Sequence, residues 1–186
     1  MDYPCFLDIE ASGLGPHSYP VQIAWSDPEG GIECWLIDPS PVSWWDTWDW
    51  NAQDVHGIPR AMLTEFGKHP RWVAEQMNEV LSGCTVYTDC QWADQFWVDV
   101  LFEAANLDRR FRVESVRDLF LELADHPNRI QVADALAWRR VPGRRHQADN
   151  DVRHLIEMWR LLTGDADGIH LGKIGNGTTD AGSGLR

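Results

Sequence analysis

Nine residues near the N-terminus, Phe6-Leu7-Asp8-Ile9-Glu10-Ala11-Ser12-Gly13-Leu14, constrain this chain more than any other stretch. The apolar Phe6, Leu7 and Ile9 read as a short buried strand, yet two carboxylates interrupt it. Successive strand side chains point to opposite faces, so Asp8 and Glu10 share one face. Like charges this close raise each other's pKa, and burial raises it further unless a cation offsets both effects. Two readings fit: an edge strand with one wet face, or a site for a hard divalent ion such as Mg²⁺, which takes carboxylate and water oxygens. Gly13 permits a tight backbone exit beside either.

Two later segments each bring another acid to the head of an apolar stripe. Gln91 to Asn106 has helical periodicity, with Trp97, Val98, Leu101, Phe102 and Ala105 on one face. One turn back, that face lands on Asp94. Asp149 to Leu162 repeats the pattern through Leu155, Met158, Trp159 and Leu162, and its stripe begins at Asp151. Asp149 groups instead with Val152, Arg153, Ile156 and Arg160, and Asp99 falls off the Asp94 stripe. An ionised acid facing a core is costly, so Asp94 and Asp151 must each cap a helix, pair with a base or bind metal. His146 lies five residues before Asp151, about 140° off its face on a continuous helix, which places it on the preceding loop, leaning over the site that Asp151 faces. A histidine following four arginines and preceding such an acid is a candidate general base.

These residues together resemble the DEDDh group of 3′–5′ exonucleases, which includes the proofreading subunit of bacterial DNA polymerase III, ribonuclease T and oligoribonuclease. Phe6 to Leu14 is similar to the first motif of that family, Tyr87-Thr-Asp89-Cys-Gln-Trp-Ala-Asp94 to the second, and His146-Gln-Ala-Asp-Asn-Asp151 to the third, H-x-A-x-x-D. Val55-His56-Gly57-Ile58 is similar to a tetrapeptide common there. Order and spacing agree over roughly residues 3 to 163. The resemblance implies a ribonuclease-H-like α/β fold, a mixed five-stranded sheet flanked by helices. It further implies that Asp8, Glu10, Asp94 and Asp151 hold two Mg²⁺ or Mn²⁺ ions, that His146 takes the proton of the attacking water, and that nucleoside 5′-monophosphates leave from single-stranded DNA or RNA 3′ ends. Ser12, Gly13 and Leu14, within the first motif, are the implied substrate contacts. Relatives often carry a small hydroxyl residue where this chain has Ala11, which bears on a backbone or substrate contact and on no metal ligand. A catalytically silent nucleic-acid-binding or polymerase-associated module of the same fold is the alternative. A homodimer and a separate polymerase partner are both compatible with the sequence.

The formal charge of −13 over 186 residues argues against a general duplex-DNA binder, whose affinity comes mainly from phosphate contacts. The charge is unevenly spread: residues 1 to 60 hold ten acids against Arg60 alone, whereas residues 109 to 160 hold eleven arginines against eight acids. Such asymmetry suits a short single-stranded end, or is ordinary solvated surface. Within the basic loop Arg139 to Arg145, Arg144 and Arg145 are placed either for substrate phosphates or for solvent. No apolar run approaches the ~20 residues of a membrane span, no signal-type start is present, and Cys5, Cys34, Cys84 and Cys90 form no C-x-x-C pair. The expectation is a soluble cytoplasmic protein with reduced thiols and no membrane partner.

Along the chain, strands are expected at Val21 to Trp25 and Ile32 to Ile37 around the Asp27-Pro-Glu-Gly-Gly31 turn, then at Cys84 to Thr88 and Val113 to Val116. Helices are expected over Pro70 to Leu81, Arg117 to Ala124 and Pro127 to Arg139, besides the two that carry acids. Trp44, Trp45, Trp48 and Trp50 read as a short helix or irregular cover, serving either as core and lid or as base-stacking surface. Asp89 reads as a capping or loop-bonding residue. The domain is expected to span 1–163, with 164–186 a flexible tail poor in apolar residues.

Overall fold

In the computed structural model, which describes residues 3–164, the chain order is β1 (Cys5–Ala11), β2 (Pro20–Ser26), β3 (Ile32–Leu36), α1 (Trp50–His56), α2 (Arg60–Phe66), α3 (Pro70–Val80), β4 (Thr85–Thr88), α4 (Gln91–Ala105), β5 (Arg112–Ser115), α5 (Val116–Leu123), α6 (Pro127–Arg140) and α7 (Ala148–Thr163). The five strands make one sheet in the order β3-β2-β1-β4-β5. The first three form an antiparallel meander, and β4 and β5 join parallel to β1. This is the mixed five-stranded sheet flanked by helices that the family resemblance implies.

Strand alternation explains where the core sits. Leu7 and Ile9 face one side, in an apolar cluster with Val73, Met77, Val98 and Leu101 of α3 and α4. Phe6 faces the other, against Phe120 of α5, Ala137 of α6 and Val152, Leu155 and Trp159 of α7. Asp8 and Glu10 share the parity of Phe6, so they lie on the α7 side of the central strand.

Two helices escape the periodicity argument. α1 and α2 bury one residue each, His56 and Leu63, so neither carries an apolar stripe to read. Of the tryptophan run, Trp44, Trp45 and Trp48 are irregular cover and Trp50 opens α1: Trp45 stacks on Tyr19 with centroids 5.2 Å apart, and Trp48 meets His56 edge-on. α1 is capped by the Asp49 side chain, which accepts from Asn51 N, and closes on left-handed Gly57. The remaining elements fall within two residues of their expected positions, β1 running two residues past Ile9 to Ala11. The four cysteines are unpaired. Among the described residues no helix is long and apolar enough to cross a membrane. The expected tail lies outside the described residues, save Gly164, the left-handed cap of α7.

Candidate active site

The site exists because β4 is short. Its pairing with β1 covers only Cys5↔Val86 and Phe6↔Tyr87, and after Thr88 the chain turns away into α4. From Leu7 onward that side of β1 is open, a crevice at the carboxyl ends of two parallel strands. Asp8 and Glu10 project beside it. Asp94, in the first turn of α4, enters from the β4 side and is buried, at 2% exposure. Asp151, in the first turn of α7, closes the far side.

Local contacts aim two of the carboxylates. The Thr88 hydroxyl donates to Asp94 Oδ2. Gln147 N donates to Asp151 Oδ2 at 3.0 Å. Gln22, which faces Glu10 across the β1–β2 ladder, accepts from Ala148 N at 3.1 Å and so ties the start of α7 down over the acidic face of β1. The positive end of the α7 dipole favours the negative charge gathered there.

The cluster contains one acid more than expected. Carboxylate oxygens of Asp8, Asp89 and Asp94 lie within 4.8 Å of one another, and so do those of Asp8, Glu10 and Asp151, with Asp8 common to both groups. Asp89 therefore joins the site rather than capping α4, whose N-cap is Cys90 with no side-chain bond. Its only sequence signal was its place at the end of a strand leading to Asp94.

So much negative charge cannot be fully ionised without compensation. Desolvation, then the charges of Asp94, Asp151, Glu10 and Asp89, push Asp8 well above the ordinary carboxylate range. Desolvation and Asp151 raise Glu10 to about 7 against the opposing pull of Arg144. Asp94 rises to about 8, chiefly by desolvation, against the Thr88 bond. Asp151 and Asp89 are raised as well, again mainly by desolvation, each partly offset by His146. Carboxylates held at this density by protein contacts fit divalent cations with oxygen ligands. The residues present thus suit the metal that the sequence pattern implies.

His146 is exposed on the loop before α7, has a left-handed backbone (φ 60°) and lines the same cleft of about 480 Å³. Gly13 and Leu14 line it too, Leu14 at 77% exposure. Ser12, Arg144 and Arg145 are not in its wall. Ser12 is buried because its Oγ accepts from Tyr19 N at 3.1 Å, Arg144 donates to Val55 O at 2.6 Å, and Arg145 lies over Trp138. Sequence reasoning passed over Trp92, 72% exposed, and Asn51 and Ala52 of α1, which line the cleft beside His56 of the Val55–Ile58 tetrapeptide. A helical stripe reveals core, not cleft, so exposed Trp92 gave no periodic signal. His56 is buried, and its Nδ1 accepts from Ile58 N at 3.0 Å.

No protein-family model matches the sequence, and neither does any curated protein. Solved structures match the fold. The zinc-bound complex of E. coli exonuclease I with single-stranded DNA superposes with a TM-score of 0.66 at 16% identity, covering 87% of this chain and 40% of that one. E. coli exonuclease I in another structure gives 0.64 and 17%, with 87% and 41% covered. A moderately thermophilic exonuclease I from Methylocaldum szegediense gives 0.64 and 18%, with 88% and 40% covered. At such identities the likeness is one of fold, the ribonuclease-H-like architecture. The chain spans about 40% of the length of these neighbours.

Proposed function

We propose that this chain is a metal-dependent 3′–5′ exonuclease of the DEDDh type, hydrolysing single-stranded nucleic acid from the 3′ end and releasing nucleoside 5′-monophosphates. The observation that carries the reading is the convergence of Asp8, Glu10, Asp89, Asp94 and Asp151 from separate segments onto one crevice, with an exposed histidine at its rim. A scaffold gains nothing from acids whose repulsion and desolvation raise their own pKa values.

Bound divalent ions, two in this reading, would supply the charge that activates a water and stabilises the departing 3′ oxygen. Asp8 is placed to serve both carboxylate groups, while Thr88 and Gln147 N hold Asp94 and Asp151 in their directions. His146 receives the proton of the attacking water, work suited to an imidazole near neutral pH. Gly13, Leu14 and Trp92 offer backbone and apolar surface to the terminal nucleotides. Neighbours of this fold, E. coli exonuclease I bound to dA16 and to dT13 oligonucleotides, favour single-stranded DNA among the possible strands.

The test is product release from single-stranded DNA and RNA labelled at either end, with Mn²⁺ or with chelator. Mononucleotides freed progressively from the 3′ end, and only with metal, are expected. Binding of the same strands with no metal-dependent hydrolysis would instead establish the silent binding module.

A further inference from the structure

His146 sits in a conformation that a non-glycine residue keeps only where its surroundings over-determine it. Contacts with that capacity come from the two residues immediately before it. Arg144 Nη2 donates to Val55 O at 2.6 Å, at the end of α1, and the guanidinium packs so closely on Gly57 that a Cβ there would stand 2.8 Å from Nη2. The Arg144 carbonyl also accepts from Asn150 Nδ2 at 3.2 Å. The guanidinium carbon of Arg145 lies 4.6 Å from the centroid of the Trp138 ring on α6. That ring is itself braced, stacking on His154 at 4.1 Å and 14°, and His154 Nε2 lies 3.0 Å from Asp134 Oδ1. Consecutive arginines are thus fastened to two different helices, and the next residue is His146.

We infer that Arg144, Arg145 and Trp138 are positioning residues, a clamp that fixes the His146 loop over the carboxylates, and that the two guanidinium groups are spent on the protein rather than on substrate phosphates. The inference rests on the reading of His146 as general base. It explains why Trp138, half-buried, exposes one aromatic ring to a basic loop, and why the Arg144 guanidinium lies flat against Gly57, whose left-handed backbone already calls for glycine. Loss of either fastening releases the loop to other conformations and lowers the fraction of molecules with the base in place.

The experiment uses the full chain with Mn²⁺ and compares Trp138→Leu, Arg145→Gln and the conservative Trp138→Phe, which keeps an aromatic face for the cation. Trp138→Leu and Arg145→Gln are expected to lower kcat by roughly three- to tenfold, the population shift that losing one cation–π contact permits, with KM and the salt dependence of binding unchanged. Trp138→Phe should recover most of the rate. Trypsin should cut after Arg144 faster, by a similar factor, in both impaired variants. A raised KM with the salt slope reduced by about 0.7 in Arg145→Gln would overturn the inference and make Arg145 a phosphate ligand. Unchanged cleavage and unchanged kcat would overturn it too. Failure of the underlying reading is distinguishable: a His146→Ala protein with parental kcat removes the general base, whereas an impaired His146→Ala beside unaffected clamp variants removes the clamp alone.

Discussion

The floor and the rim of the cleft are built by different physics. The floor carboxylates Asp8, Glu10, Asp94 and Asp151 project from β1, α4 and α7, elements whose other faces are buried in the two cores, so each is placed by many apolar contacts at once. The rim histidine is borne on a loop whose conformation depends on a few side-chain contacts. Dense negative charge that repels itself has to be held by elements unable to yield. If His146 is the proton acceptor proposed above, it touches only solvent and substrate and can be held by less.

If the floor is a metal site, its loss should have the largest effect. Asp8→Asn removes the acid common to both carboxylate groups and is expected to abolish metal-dependent hydrolysis together with Mn²⁺-induced stabilisation. Without metal the same variant should melt higher than the parent, because the cost of burying an ionisable acid among other acids is gone. Calorimetric melting with Mn²⁺ and with chelator reads both. An Asp8→Asn protein that still gains stability from Mn²⁺ would place the ion elsewhere.

The rim predicts a different pattern. His146→Ala should lose on the order of 10²–10⁴ in turnover, the range for a removed general base, while keeping the Mn²⁺ stabilisation. Metal titration and mononucleotide release on the same samples separate the two regions. Loss of both properties together would erase the distinction between floor and rim.

A third expectation sharpens the electrostatics of the floor. The metal-free folded protein holds Glu10 near 7 and Asp94 near 8, against ordinary values of 4.5 and 3.8. Raised folded pKa values mean that the unfolded chain releases these protons first. Metal-free stability is therefore greatest below about pH 4 as far as these groups are concerned, and falls as pH rises to about 8. The Mn²⁺-induced rise in Tm should grow over the same interval. A flat metal-free profile between pH 5 and 8 would show that the acids are not crowded in solution.

The smallest effect belongs to Ser12, whose side chain is buried. Ser12→Ala is expected to cost about 1 kcal/mol of stability, through the lost bond to Tyr19 N, and to leave kcat unchanged. Denaturant unfolding and turnover decide it. Intact stability with impaired turnover would return the hydroxyl to the substrate.

Much of the floor was legible in the sequence because side-chain periodicity is local. Period two along Phe6 to Glu10 puts both acids on one face, and the helical stripes of α4 and α7 begin at Asp94 and Asp151, so the side each residue shows to the core is written within a few neighbours. What no local pattern could supply, the tertiary structure decided. Asp89 enters the cluster because β4 ends early and its chain turns along the open side of β1. α1 and α2, with one buried residue each, carry too little apolar signal to be read, yet α1 forms a wall of the cleft. The direction of Arg144 was set by Val55, 89 residues away along the chain, and those of Ser12 and Arg145 by Tyr19 and Trp138, nearer in sequence but brought into contact only by the folded backbone. A long side chain on a loop has many solvent-exposed orientations of nearly equal energy, and only a contact brought to it by the finished fold selects among them.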